Sequence, residues 1–77
     1  MNYRVSINGY TVSTNYYKMP GYWMTCIFRD NNPSKLIFPC YYLDELSAEQ
    51  GHKVWTLMTY IHPVKIYNIF TNECEEI

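Results

Sequence analysis

The chain has little charge, few glycines and no signature of chemistry. Its 77 residues include six basic and seven acidic side chains, a net charge of −1. The basic residues (Arg4, Lys18, Arg29, Lys35, Lys53, Lys65) are scattered. Duplex DNA binding needs a clustered basic footprint that displaces counterions, so that class is excluded. Seven carboxylates are too few to imitate a nucleic acid. Glu73, Glu75 and Glu76 form the one acidic cluster and read as a solvated end.

The cysteines are three, Cys26, Cys40 and Cys74, with no Cys-x-x-Cys spacing. An odd, dispersed set points to free thiols in a reducing, cytoplasmic setting and disfavours a Cys26–Cys40 disulfide. No apolar run approaches the ~18 residues of a membrane span, and no leader-peptide pattern opens the chain. A zinc site needs about four converging ligands; His52 and His62 fall on different sides of a helix, and no cysteine pair joins them. Cys26 lies mid-strand and reads as a small core hydrophobe rather than a nucleophile. Asp44 and Glu45 suit a helix start rather than paired acid–base work. The three glycines belong to turns or a helix, which leaves no phosphate-cradling loop. The expectation is therefore a non-enzyme without metal or cofactor.

Aromatic side chains are abundant instead, at 18 % of the chain, with nine tyrosines, two tryptophans and three phenylalanines. A domain of this length buries only about 60 % of the surface its unfolded chain exposes. Its core cannot hold every ring, so some must lie at the surface or in an interface.

The clearest local pattern is at the start. Tyr3, Val5 and Ile7 alternate with Arg4 and Ser6, and Tyr10, Val12 and Thr14 resume the alternation after Asn8-Gly9. Asn-Gly is the preferred type I′ hairpin pair. That loop sets Ile7 opposite Tyr10, Val5 opposite Val12 and Tyr3 opposite Thr14, apolar against mostly apolar. Pro20-Gly21 suits a type II turn. Tyr22–Arg29 follows as a strand that is apolar on both faces. A loop over 30–34 leads to a fourth strand from Lys35 to Phe38 or Tyr42, interrupted at Pro39.

Val54, Trp55, Leu57, Met58 and Ile61 follow the i, i+3, i+4, i+7 pattern of one helix face. Ser47 with Gln50 resembles a capping box; Asp44 is the alternative start, placing Gly51 in the helix interior. His62 falls in the last turn and Pro63 stops the helix. Val64–Phe70 reads as a final strand pairing into the main sheet, and 72–77 as a loose tail. The expected fold is one α+β domain over 1–77. It is a small antiparallel sheet in the order β-β-β-β-α-β, with one helix packed on one face through 54/55/57/58/61. The outward helix residues (Glu49, His52, Lys53, Thr56, Thr59, Tyr60) suggest no site.

With Tyr3, Val5, Ile7 and Val12 under the helix, the opposite sheet face is expected to carry Trp23, Ile27, Arg29, Tyr67 and Ile69, with Tyr16, Tyr17 and Tyr22 beside it. Strand 22–29 is apolar at both parities, so which set turns inward is left open, and either way one aromatic set faces away from the helix. Trp, Tyr and Arg are the usual residues of interface hot spots. The favoured expectation is a binding protein that occludes a protein partner through this aromatic face; the bland alternative is homodimerisation through it, or its cover by the loop around Tyr41-Tyr42. In size and composition the chain resembles the small accessory proteins of bacteriophages and mobile elements, which implies inhibition of a host factor. The rival is a nucleotide or single-stranded RNA stacked on Tyr and Trp, with Arg4, Arg29 or Lys65 taking phosphate.

Overall fold

Period-two alternation and an Asn-Gly turn build the first hairpin as expected. β1 (Tyr3–Ile7) pairs with β2 (Tyr10–Tyr17) in the register Ile7↔Tyr10, Val5↔Val12, Tyr3↔Thr14. Asn8 and Gly9 have φ of 52° and 80°, in the left-handed region that a type I′ turn requires at both positions. The computed structural model describes residues 2–61 and 63–77 and has an α+β architecture.

β3 (Tyr22–Arg29) and β4 (Asn32–Tyr42) complete an antiparallel meander in the order β1-β2-β3-β4. The Met19–Pro20 peptide between β2 and β3 is cis, and Gly21 has a φ of 97°. β4 starts at Asn32, inside the segment expected to be loop. Its register against β3 slips twice, between Thr25 and Ile27 and between Ile27 and Arg29. Pro33 and Pro39 lie in the slipped stretches, where no regular ladder demands their missing N–H.

The helix α1 (Glu45–Ile61) starts at the alternative position. Asp44 is its cap: Ser47 N–H donates to Asp44 Oδ1 at 2.8 Å and Ser47 Oγ to Oδ2 at 3.1 Å. An ionised cap also meets the positive end of the helix dipole, an advantage Ser47 lacks. The reading of His62 lies outside the described residues.

The C-terminal segment departs from expectation. The strand after the helix, β5 (Lys65–Asn68), ends short of Phe70 and pairs not with the meander but with β6 (Glu73–Glu76). The supposed loose tail is thus a strand. Asn68 makes the turn: its Oδ1 accepts from Phe70 N–H and its carbonyl from Asn72 N–H. Asn72 takes a φ of 58°, which asparagine tolerates better than most residues. Val64 and Ile77 exchange backbone hydrogen bonds at 3.1 and 3.0 Å. Ile77 enters the core with Tyr10, Val12, Ile27, Ile37 and Ile66. The small sheet also closes the β4 edge: Ile69 N–H donates to the Phe38 carbonyl at 2.9 Å and Asn68 Nδ2 to the Leu36 carbonyl at 3.2 Å.

Gly51 lets the helix approach the sheet. A Cβ there would sit 2.3 Å from the Tyr42 ring. Gly51→Ala is expected to destabilise by about 1–3 kcal/mol through overpacking, read as a fall in the urea midpoint. In a Tyr42→Ala background the penalty should vanish, because alanine is then the better helix former by ~1 kcal/mol. A penalty that survives there would absolve Tyr42.

Candidate functional site

The face that α1 turns to the sheet is set by hydrogen bonds as much as by apolar area. Thr14 and Thr25 are fully buried on neighbouring strands, with their hydroxyl oxygens 2.7 Å apart. His52 Nδ1 lies 2.8 Å from Thr14 Oγ1, and Tyr42 OH lies 3.1 Å from Thr25 Oγ1. Burial pushes the His52 pKa below its usual value. A neutral imidazole can accept at Nδ1, so the chain Tyr42–Thr25–Thr14–His52 is satisfied throughout. Burial also raises the Tyr42 phenol. Ala48 and Thr59 are the fully buried residues of the helix, and Trp55 packs against the main core. Thr59 donates back to the Trp55 carbonyl at 2.8 Å, which hides its hydroxyl.

The inward stripe is therefore 48/52/55/59, spaced i, i+4, i+7, i+11. It corrects the expected 54/55/57/58/61 face, of which Trp55 and Met58 alone are partly buried. His52 and Thr59, expected outward, point inward. Turning Val54, Leu57 and Ile61 to the sheet would take His52 away from Thr14 and end the hydrogen-bonded run there, at roughly 1–3 kcal/mol for the lost partner. The consequence is an apolar outer face: Leu46, Val54, Leu57 and Ile61 are each 55–63 % exposed. Tyr60 flanks them, and Leu43 precedes the cap, more exposed still.

A groove of about 410 Å³ runs along the β1 side of the helix. Val5 and Ile7 line it from the strand, and His52, Lys53, Thr56, Leu57 and Tyr60 from the helix. Asn8 Nδ2 donates to the Tyr60 carbonyl at 3.0 Å and closes one end. The groove adjoins the outer helix face at Leu57, with Lys53 as the cation on its lining.

The residues expected to form an aromatic site lie in four separate places. Register puts Trp23 opposite Tyr16 and Ile27 opposite Val12, so both share the helix side. Trp23 is 7 % exposed, with its ring 5.6 Å from Tyr16 and 6.2 Å from Tyr3; Ile27 is wholly buried. Both belong to the core. Strand 22–29 is apolar at both parities, so only pairing with β2 decides which set is inside. Arg29 lies at the far end, its guanidinium 5.3 Å from the centre of the Tyr10 ring. Tyr67 sits on the outside of the small sheet, donating to Asn72 Oδ1 at 2.6 Å, and Ile69 lies in the β5–β6 turn.

The open sheet face carries the other parity: Tyr17, Tyr22, Met24, Cys26 and Phe28. Tyr22 and Tyr41 meet there at 4.9 Å, and Arg4 lies over Phe28 at 5.7 Å. Between them Thr11, Ser13, Met24 and Cys26 are already covered. This face is mostly filled by its own side chains.

Among the described residues, nothing in these surfaces assembles reactive groups. Burial raises the Cys26 thiol to about 11, against a smaller lowering by Arg4, which removes thiolate character at neutral pH. Cys26 also sits across the sheet from His52. All three thiols are free. Among the described residues no three His, Cys, Asp or Glu side chains converge as metal ligands. Among them also no helix is long and apolar enough to cross a membrane. A second cleft of about 550 Å³ lies between the β3–β4 turn and β6. Arg29 and Lys35 line it with Tyr10 and Phe28, but so do Glu75 and Glu76, and Lys35 is paired with Glu75 at 3.3 Å.

Two measurements check this placement. Trp23→Ala is expected to cost about 3 kcal/mol of stability, as a buried aromatic does; a melting temperature near wild type would return Trp23 to the surface. Because the folded His52 pKa lies below the unfolded value near 6.5, the unfolded chain takes up its proton first as pH falls. Stability should be complete above about pH 6.5 and decline as pH drops through the folded pKa. His52→Asn should flatten that part of the urea-midpoint profile, and an unaltered slope would assign it to other groups.

Compared with known protein families, curated proteins and solved structures, the chain matches none.

Proposed function

We propose that the protein is a non-enzymatic binding protein that occludes a protein partner through the outer face of α1. The observation that carries this reading is the exposed row Leu46, Val54, Leu57 and Ile61. Burying aliphatic side chains is worth roughly 1.5–3 kcal/mol each, and a small monomer does not leave four of them wet on one helix face without a use for them. The rigid mounting supports the same reading. Thr14–His52 and the Gly51–Tyr42 approach fix the helix rotation, so the row is preorganised and association freezes few backbone motions. The surface is aliphatic, with Tyr60 at its margin, rather than the Trp23-centred aromatic face suggested by sequence. Size and composition favour an accessory protein that inhibits a host factor, acting by steric cover.

A second reading has one specific support. Arg29, Lys35, Tyr10 and Phe28 around the β3–β4 cleft offer cations and ring faces to a small nucleotide. Glu75 and Glu76 in the same cleft oppose an anion, which ranks this reading below the first.

Leu46→Glu and Val54→Glu together place two charges in the N-terminal half of the apolar row while touching no buried group. The double variant is expected to keep its melting temperature, since exposed substitutions stay within about 0.5 kcal/mol, yet to lose at least tenfold in affinity for any protein recovered with wild type. Undiminished recovery would discard the helix face as the binding surface. A thermal shift with nucleotides, scaling as RT ln(1 + [L]/Kd), would instead favour the cleft.

A further inference from the structure

The two edges of the main sheet are treated differently. The β4 edge is interrupted by Pro33 and Pro39, slips register twice, and is covered by the β5–β6 sheet through Ile69 and Asn68. These are the usual devices that keep an edge from pairing. Among the described residues the β1 edge has none of them. It is a regular five-residue strand without proline or bulge, paired on one side with β2. Its one charge, Arg4, lies over Phe28 on the sheet face rather than across the edge.

The free main-chain groups can be located. A two-residue turn makes Ile7↔Tyr10 a hydrogen-bonded pair, so Val5↔Val12 and Tyr3↔Thr14 are hydrogen-bonded too. The N–H and C=O of Arg4 and Ser6 therefore point away from β2, into the open edge. An antiparallel neighbour must bond to these two residues.

We propose that β1 pairs with β1 of a second copy about a two-fold axis through Val5, joining the two meanders into one continuous sheet. The strand is self-complementary in that register. Val5 faces its symmetry mate in a close, non-hydrogen-bonded pair, Tyr3 faces Ile7, and Arg4 faces Ser6. About four main-chain hydrogen bonds form, two for each Arg4–Ser6 pair. Shifting the axis to Arg4 would set two guanidinium-bearing residues opposite each other, which is unfavourable. Shifting it to Ser6 would run Tyr3 past the Asn8-Gly9 turn. An axis perpendicular to the sheet leaves both helices on one face, and the two grooves beside Val5 and Ile7 meet across it. The interface is isologous and closed, as a two-fold dimer requires. It goes beyond the helix-face reading, because Leu46 and Val54 are not part of it.

Sedimentation equilibrium should give twice the 9.3 kDa chain mass. Ser6→Pro removes an outward N–H without touching the β1–β2 ladder and should give monomers that keep the wild-type circular dichroism. A wild type that stays monomeric up to its solubility limit overturns the proposal, as does a dimer that a folded Ser6→Pro variant leaves intact. Should Ser6→Pro fail to fold, cysteine pairs decide, in a Cys74→Ser background. Val5→Cys faces itself and should oxidise to a disulfide dimer, whereas Ser6→Cys faces Arg4 and should lag at least tenfold. Equal rates overturn the register. The Leu46→Glu, Val54→Glu variant should remain dimeric, so loss of partner binding and loss of self-association are read separately.

Discussion

The hydrogen-bonded run from His52 through Thr14 and Thr25 to Tyr42 is the constraint on which the rest depends. Two threonines deep in the sheet offer hydroxyls that no strand ladder uses. A helix that covers them must bring polar partners, because a buried unsatisfied group costs more than a made bond returns. His52 supplies one and Tyr42, reaching under Gly51, closes the other end. Helix rotation follows, and with it the exposure of Leu46, Val54, Leu57 and Ile61. The apolar outer face is thus a consequence of how the polar core is satisfied.

The same logic divides the molecule into finished and unfinished surfaces. The open sheet face is closed over by its own residues, with Arg4 over Phe28 and Tyr22 against Tyr41. The β4 edge is sealed by the small C-terminal sheet, which also sends Ile77 into the core. The outer helix row and the β1 edge are left without comparable cover among the described residues. They adjoin through the Val5–Leu57 groove, so the proposed self-association and partner binding would use neighbouring but separable parts of one side.

Much of the fold was legible in the sequence because it rests on local rules. The Asn8-Gly9 hairpin, its residue-by-residue register, the β3 strand and a single helix before Pro63 all follow from period, turn chemistry and breakers. The candidate site was not legible, for two physical reasons. Residues 22–29 carry apolar side chains at both parities, so the sequence offers two equivalent inside faces, and pairing with β2 is what turns Trp23 and Ile27 inward. Along the helix the apolar period marked 54, 57 and 61, but hydrophobic period measures area alone and says nothing of hydroxyls on another element. The signal that could have found the true face was polar: His52 and Thr59 at helical spacing with Ala48 and Trp55, and Gly51 among them.

The sequence by itself determined the first hairpin and its register, the β3 strand and the single helix before Pro63, since each depends on residues close in the chain. Tertiary structure alone decided which parity of β3 is buried, that 73–76 pairs with β5 instead of fraying, and which side of the helix meets solvent. Those choices turn on contacts such as Trp23 with Tyr16, Ile77 with Val64 and His52 with Thr14. Each joins segments whose mutual orientation no local period encodes.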